Sequence, residues 1–512
     1  MRPLSGGLSL IVVAVSVVGS VSAQATGSGL TLDTVVQLTL ERSAAIAAGR
    51  REVEISHGEL LVARAAFDIQ LRSRLLSARE TFFEPAAVQS DLVNHDPLPT
   101  NSTIYELGAE KRFRAGIVVT PSLSITRTAG TSVAGSPVSD ASGQLDLMVP
   151  LSRDRGGAGF VAVERAADAR EAATRFDLQQ VLAINLLTAA VSYWGYVAAL
   201  ERLGVYLSTE ERAQELVKET VALVQADERP ASDLQQVRAN LASKRATRIV
   251  ADQAVVSARA ALSTSLGTRG DDPLLASRPT TPLPTPPPSA QATSVQAASL
   301  DAAVARRPDW QAVTQRRAAY EHQLQAATNE LRPTLNLVVG AGYVGRASGT
   351  GLGSFVGALY RHVPGFNSTI ELRYEWPVGN RAAQGRAMQS QAALEQQQIE
   401  EEDLTRRIAT NVLVAHTALR HGEQQVEAAS EAVTLSQQTV ESERGKFHLG
   451  VGTLFDVTLA EDYLTEALLQ RLEAKLAYGV ALAQLRYELG LIVPPDNYPV
   501  EARVFLQPPD AP

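Results

Sequence analysis

Residues that could carry catalytic chemistry are scattered along this 512-residue chain without a catalytic spacing. His416 and His421, two of the seven histidines, lie five residues apart and so fall on different faces of a helix. The sequence contains no spacing typical of metal ligands, no Gly-rich phosphate loop and no serine nucleophile elbow. The acidic run 400–403 is typical of a solvated helix surface. We therefore expect a protein that is not an enzyme and has no cofactor or resident metal ion.

Two short breaks in long helical stretches are better candidates for function. The first break, 227–232, contains Pro230, and the second, 449–453, contains two glycines followed by Thr453. Glycine or proline followed by serine or threonine ends one helix and caps the next. Asp456 follows the second break, where the dipole of the new helix favours a carboxylate. Each break is therefore predicted to be the tip of a helical hairpin.

The stretches that end at these tips are predicted to be very long helices. Residues 151–229 and 378–493 contain no proline. A helix of ~70 residues would span ~100 Å and would need lateral partners along its length. In the second stretch apolar and small residues alternate at spacings of four and three, which is typical of a coiled-coil seam. The apolar residues are Val412, Leu419, Val426, Val433 and Val440, and the small ones are Ala415, Gly422, Ala429 and Ser436.

Alternating strands precede each long helical stretch. In 370–377, Ile370, Leu372, Tyr374 and Trp376 share one face while charged residues occupy the other. The counterpart in the first half is 144–150, and both segments stop at a proline. Such alternation suits a membrane barrel with a wet lumen, and it also suits a strand of a soluble sandwich. The strands alone leave both alternatives open.

The same order of elements occurs on both sides of a proline-rich linker at 273–289. The sequence predicts a first repeat at 24–272, with a short helix, strands at about 67–150 and a helical hairpin at 155–267. A second repeat is predicted at 290–493, with a short helix, strands at about 333–377 and a hairpin at 380–490. Residues 494–512 would form a C-terminal tail.

The beginning of the chain has the features of a secretory signal peptide at 1–23. A basic residue precedes the apolar run 8–18, and Val21 and Ala23 occupy the positions that signal peptidase reads. The alternative, a membrane anchor, would need a longer apolar run to cross ~30 Å of hydrocarbon. The chain has no cysteine, so we expect no disulfide and no lipid anchor. The net charge of −8 argues against a nucleic-acid partner.

Four segments together give the sequence a family resemblance. They are 306–309 (Arg-Arg-Pro-Asp), 330–335 (Glu-Leu-Arg-Pro-Thr-Leu), 446–453 with the following Asp456-Val457 and Ala460-Glu461, and 485–490. In these segments and their order the chain resembles the TolC-like outer membrane efflux protein family, the exit ducts of tripartite pumps and type I secretion systems. The resemblance covers essentially all of the mature chain.

The resemblance implies an α+β membrane protein that works as a homotrimer. Three chains would share one β-barrel in the outer membrane, in contact with its lipid, which continues into a long α-helical coiled-coil barrel in the periplasm of a Gram-negative-type envelope. The implied function is an exit duct for efflux or secretion. It would passively conduct substrates from an inner-membrane pump (RND, ABC or MFS type) and a periplasmic adaptor (membrane fusion) protein to the exterior. The alternative from the sequence is a periplasmic coiled-coil scaffold or adhesin without a pore.

The resemblance also assigns roles to the two hairpin tips, which in the family contact the adaptor and close the duct. Asp456 matches the position of a ring of acidic residues that filters cations, and the alternative is a helix-capping aspartate. Leu459 occupies a second acidic position of the family and Gly452 the position of a gating arginine, so this chain departs from the family at both. The candidate adaptor-contact residues are Ala226, Asp227, Glu228, Arg229, Pro230, Ala231 and Ser232 in the first tip and Phe447, His448, Leu449, Gly450, Val451, Gly452, Thr453 and Leu454 in the second.

A further departure lies at 104–127, where two more strands are predicted around residues 114–116. The family resemblance implies two strands in each repeat. The added pair could extend the sheet or form an extracellular hairpin, and the sequence leaves both open. The Gly-rich segment 345–357 is predicted to be the external loop of the second repeat.

Overall fold

The computed structural model describes residues 29–82, 98–130, 136–272, 277–287, 297–493 and 505–506. The predicted signal peptide and nearly all of the predicted tail lie outside the described residues. The first half contains two short helices, four strands and two long helices. In chain order these are α1 (Leu32–Arg42), α2 (Ala44–Arg64), β1 (Ile69–Phe82), β2 (Leu98–Arg112), β3 (Val118–Gly130), β4 (Val138–Pro150), α3 (Ala158–Gln225) and α4 (Ala231–Ser265).

The second half follows the same order with fewer strands. Its elements are α5 (Ala297–Arg306), α6 (Pro308–Asn329), β5 (Thr334–Ser348), the short α7 (Leu352–Gly357), β6 (Phe366–Glu375), α8 (Arg381–His448) and α9 (Leu454–Glu488). Helices α3 and α8 both have 68 residues, which makes each about 100 Å long. Helices α4 and α9 both have 35 residues. The corresponding helices of the two halves are therefore equal in length, and the tandem repeat stays a prediction.

The six strands form one antiparallel sheet in the order β1-β2-β3-β4-β5-β6. The halves join where β4 pairs with β5. Strands β2 and β3, predicted as the additional pair, lie inside the sheet. Of the two alternatives that the sequence left open, the pair therefore extends the sheet and does not form a separate hairpin. The predicted external loop at 345–357 begins too early, because β5 continues to Ser348 before α7 starts.

The helices pack along the predicted seam. Val412, Val433 and Val440 of α8 are at most 7% exposed, and Ala415 and Leu419 are buried against α9. At Gly422 an added Cβ would lie 3.2 Å from the Cα of Tyr478, so a side chain there would push α9 away by a few tenths of an ångström. The alternation of branched and small residues therefore sets the spacing of this hairpin, as predicted.

The largest cluster of buried side chains lies where the long helices meet α1 and the linker. Tyr193 and Trp194 of α3 are fully buried there. The hydroxyl of Tyr193 donates to the carbonyl oxygen of Leu30 (3.1 Å) and accepts from the backbone N–H of Thr281 in the linker (3.0 Å). Helix α3 contains an 18-residue window that is apolar enough by composition to cross a membrane, and 56% of that window is buried inside the protein.

Candidate functional site

The sheet has one apolar face and one polar face, which the pairing of the strands defines. Paired residues point to the same side of a sheet, so Tyr105, Ile125 and Ala141 share a face with Gly345. We call this side the apolar face. Its other members are apolar side chains, several of which are more than half exposed in the protomer. They are Leu71 (73% exposed), Leu75 (62%), Leu107, Leu123, Leu145, Leu147, Leu337, Val339, Ile370 (78%), Leu372 (63%) and Tyr374 (60%).

The opposite side, which we call the polar face, carries charged and hydroxyl side chains. Its ion pairs link Arg72 to Glu110 (3.2 Å) and Arg346 to Asp140 (2.6 Å) across neighbouring strands. The predicted alternation of Glu371 and Arg373 places both on this face, where their side chains pair at 3.1 Å. Lipid on one side and water on the other is the arrangement that such a sheet fits.

The two hairpin tips lie side by side at the opposite end of the long helices. The guanidinium of Arg229 in the first tip donates to the carbonyl oxygen of Gly452 in the second (3.2 Å) and lies 4.8 Å from the centre of the Phe447 ring. His448 contacts the carboxylate of Glu219 on α3 at 3.0 Å. The structure thus brings the two predicted tips into direct contact with each other.

The predicted tip residues divide into buried and exposed ones. Phe447 and Leu454 are 5% and 4% exposed, and they pack with Leu216 and Val237 of the first hairpin. These two therefore hold the tips together and present almost no surface to a partner. Leu449 (80% exposed), Val451 (77%) and Phe455 (61%) form the apolar tip surface. The sequence analysis did not name Phe455 as a tip residue. Its position between the buried Leu454 and Val457 on α9 could have indicated that it lies on the exposed side of the helix.

Asp456 closes a capping box at the start of α9. The Thr453 hydroxyl accepts from the backbone N–H of Asp456 (3.2 Å), while the Asp456 carboxylate accepts from the Thr453 hydroxyl (2.6 Å) and backbone N–H (3.1 Å). These hydrogen bonds, the hydroxyl's first, hold the pKa of Asp456 below its ordinary value. The carboxylate is ionised at neutral pH and caps the helix. A second role on a pore axis remains a prediction.

A group of ion pairs that sequence reasoning did not assign joins the two hairpins above the tips. Glu461 of α9 is 6% exposed and accepts from Arg212 of α3 (3.2 Å) and from Arg444 of α8 (3.1 Å). The next residue of α9, Asp462, pairs with Lys244 of α4 at 2.5 Å. We call Glu461, Arg212 and Arg444 the inter-hairpin cluster. Arg212 and Arg444 are 249 and 17 residues away from Glu461 in the chain, so no local spacing in the sequence could have indicated this cluster.

Two of the segments that carried the family resemblance meet at the other end of α9. Arg307 is 5% exposed and Glu488 3% exposed, and their side chains form an ion pair. Arg307 also donates two hydrogen bonds to Asp309, at 3.0 and 2.6 Å. Burial disfavours the charge of Arg307, but these carboxylates outweigh it and raise the pKa of the guanidinium. Segments 306–309 and 485–490 therefore form one structural unit.

Among the residues that the structure describes, no group of three or more histidine, aspartate or glutamate side chains is arranged to hold a metal ion. The features that remain are a two-faced sheet at one end and contacting helix tips at the other.

Comparison with known proteins shows what this architecture is similar to. Residues 299–491 match the family model described as outer membrane efflux protein. The chain is similar in fold to the outer-membrane channel OprN (17% identity over 90% of this chain and 89% of that chain, TM-score 0.66). It is also similar to the CmeC outer membrane channel of Campylobacter jejuni (14% identity, 96% and 94% covered, TM-score 0.66). A third similar structure is the open state of the Neisseria gonorrhoeae MtrE outer membrane channel (16% identity, 90% and 88% covered, TM-score 0.63).

A comparison with the curated proteins finds no match. The resemblance to the TolC-like outer membrane efflux proteins that the sequence segments predicted is confirmed by the family model over residues 299–491 and by the fold of the solved channels. The family model and the similar solved structures describe outer-membrane channels, which agrees with the predicted outer-membrane location.

Proposed function

We propose that three copies of this chain form an outer-membrane exit duct. The sheet is the observation that carries the proposal. Strands β1 and β6 each have one strand neighbour in the described chain, so both edges of the sheet are open. An open edge cannot face hydrocarbon, because its backbone groups would lack hydrogen-bond partners. Pooling the sheets of three chains into one closed barrel removes the edges and turns the apolar face toward lipid.

The proposed duct conducts passively and takes its cargo from other proteins. An inner-membrane pump of the RND, ABC or MFS type would supply energy and select the substrate, and a periplasmic adaptor would join the pump to the helix tips. The polar face would line the barrel, and the long helices would continue the path through the periplasm.

The inter-hairpin cluster is the proposed closing device. Because Gly452 occupies the family's gating-arginine position, another contact must hold the hairpins in the closed state. Glu461 fits this role, since it binds an arginine from each of two other long helices near the tips. Separation of the α3–α4 hairpin from the α8–α9 hairpin would break the Arg212–Glu461 pair and widen the tip opening, while Arg444 of α8 holds Glu461 in place within its own hairpin.

Apolar contact at the second tip is the proposed basis of adaptor binding. Replacing both Leu449 and Val451 by aspartate is expected to weaken adaptor binding at least tenfold. Burial of each apolar side chain contributes about 1.5–3 kcal/mol, and this would be lost. The matched control, Leu449→Met with Val451→Ile, keeps the surface apolar and is expected to bind as the unaltered protein does. Biolayer interferometry with the periplasmic adaptors of the same envelope measures the difference, and equal affinity of both variants would contradict the contact.

Asp456 is the proposed residue for cation binding at the mouth. If three copies line the axis, Asp456→Ala is expected to raise the half-blocking concentration of a divalent cation about tenfold, which corresponds to ~1.4 kcal/mol. Asp233→Ala is the control, because Asp233 occupies the same position in the first turn of α4. Conductance recorded with increasing Mg²⁺ on the periplasmic side measures the block. An unchanged block in Asp456→Ala would place this carboxylate away from the axis.

The trimer itself is tested by fractionation. We expect the protein in the outer-membrane fraction as a trimer that resists SDS until it is heated, because β-barrels shared between chains dissociate only on unfolding. A periplasmic scaffold or adhesin, the alternative function, has no need of a sheet with one lipid-compatible face. A soluble monomer in the periplasmic fraction would reject the duct and favour that alternative.

A further inference from the structure

We propose that the closed barrel of this protein contains eighteen strands. A trimer with the two strands per repeat that the family resemblance implies would have twelve. The inference rests on the proposed trimer and concerns what each chain adds to it. Three copies of the six-stranded sheet supply the eighteen strands. The outer mouth would then be wider than the family pattern implies, and it would admit bulkier solutes.

Strands β2 and β3 are full members of the sheet. Strand β2 pairs with β1 from Ile69↔Lys111 to Phe82↔Leu98, over the whole length of β1. Strand β3 pairs with β4 over most of its length, up to Thr128↔Val138. A hairpin standing outside the membrane would not need to be hydrogen-bonded on both sides along these lengths.

The same two strands carry the two-faced pattern of the rest of the sheet. Tyr105 and Leu107 of β2 and Leu123 and Ile125 of β3 lie on the apolar face, level with one another. Glu106, between the first two, lies on the polar face and pairs with Arg74 of β1 at 3.8 Å. Tyr105 and Ile125 pack against Phe355 of α7, whereas Leu107 is 49% exposed in the protomer. An exposed apolar side chain at this level suits the lipid side of a barrel wall.

The turn between β2 and β3 is fixed to the start of α3. Gly116 (φ +85°) and Gly157 (φ +73°) approach so closely that a Cβ on Gly157 would lie 2.1 Å from the carbonyl oxygen of Arg114. Arg114 also pairs with Glu164 of α3, with hydrogen bonds of 2.9 and 2.6 Å. The guanidinium of Arg112 lies 3.9 Å from the centre of the Phe160 ring. The turn therefore sits at the junction between barrel and helices, at the same level as the end of β4.

An even number of strands lets three such sheets close. Strand β1 follows α2 and leads away from the helices, while β6 leads back into α8. Strand β6 of one chain and β1 of the next therefore run antiparallel, as barrel closure requires. Because barrel diameter grows about linearly with strand number, eighteen strands give a diameter ~1.5 times, and a cross-section about twice, that of twelve.

The direct test is the strand count of the unaltered trimer in lipid nanodiscs by cryo-electron microscopy. Eighteen strands around the axis would support the proposal. A trimeric barrel of twelve strands, with β2 and β3 outside the wall, would overturn it and leave the proposed duct intact. Absence of a trimer would instead reject the proposed duct and the inference with it, so the two failures are distinguishable.

A second test measures the width of the mouth. Deleting residues 90–133 removes β2 and β3 and leaves β1 and β4 in their up-and-down order. Neutral polyethylene glycols added on the outer side are expected to enter the unaltered barrel up to a radius ~1.5 times the limit of the deletion variant. The same polymers added on the tip side are the control and should show one limit for both proteins. An equal outer limit in two conducting trimers would overturn the proposal, and the strand count decides it if the variant does not assemble.

Discussion

Replacing Arg307 by leucine is expected to lower the free energy of unfolding by about 3–5 kcal/mol, the largest loss for any single change considered for this chain. The substitution leaves the carboxylate of Glu488, whose side chain is 4% exposed, without its ion-pair partner. The amide of Gln484, which donates to Glu488 at 2.8 Å, is uncharged and cannot replace the guanidinium. The apparent melting temperature of the detergent-solubilised protein, followed by intrinsic fluorescence, measures the loss.

Arg306→Leu provides the matched control, because Arg306 is the exposed neighbour in the same segment. Its substitution should change the melting temperature little, since surface substitutions usually stay within about 0.5 kcal/mol. A third variant carries Arg307→Leu together with Glu488→Leu. It should recover part of the loss, because removing both charges leaves neither one buried alone. Equal melting temperatures for Arg307→Leu and Arg306→Leu would contradict the structural role of this ion pair.

Replacing Glu461 by glutamine is expected to raise the fraction of open ducts by roughly 10- to 150-fold. The change keeps the shape of the side chain and removes the charge that binds Arg212 and Arg444. A hydrogen bond to a charged group contributes about 1.5–3 kcal/mol, and shifts of this size alter a two-state equilibrium by such factors. The open probability of single channels in planar bilayers measures the effect.

Glu466→Gln is the control for this experiment. Glu466 lies on the same helix, is exposed, and accepts a hydrogen bond from Gln470 of its own helix. Its substitution should leave the open probability unchanged. If Glu461→Gln conducts no more often than Glu466→Gln, the inter-hairpin cluster supports the fold without closing the duct.

Local patterns in the sequence were sufficient to predict the faces of a strand and the seam of a long helix, but not the second short helix of each half or helix α7. The alternation in 370–377 correctly separated Ile370 and Leu372 from Glu371 and Arg373 because side chains of a strand alternate strictly between faces. The seam from Val412 to Val440 correctly marked the buried side of α8 because its period matches a supercoiled helix. Both signals depend on neighbours within a few residues.

Contacts between distant segments could not be predicted in this way. The burial of Phe447 and Leu454 depends on Leu216 and Val237 of the other hairpin. The sequence alone therefore could not show which residues of the tip are exposed to a partner and which are buried between the hairpins. Whether 104–127 would extend the sheet depended on pairing with β1 and β4, and only the structure provides that register. Asp456 forms the capping box expected of a helix-capping aspartate. Its role on a pore axis depends on the other chains of a trimer and stays a prediction.

Single-channel recording tests the central claim most directly. The SDS-resistant protein, purified from the outer-membrane fraction and added to a planar lipid bilayer, is predicted to produce discrete conductance steps, and the Glu461→Gln variant is predicted to stay open longer. Bilayers that remain silent with both proteins, when insertion is confirmed by protease protection of the barrel, would show that this chain does not form a duct.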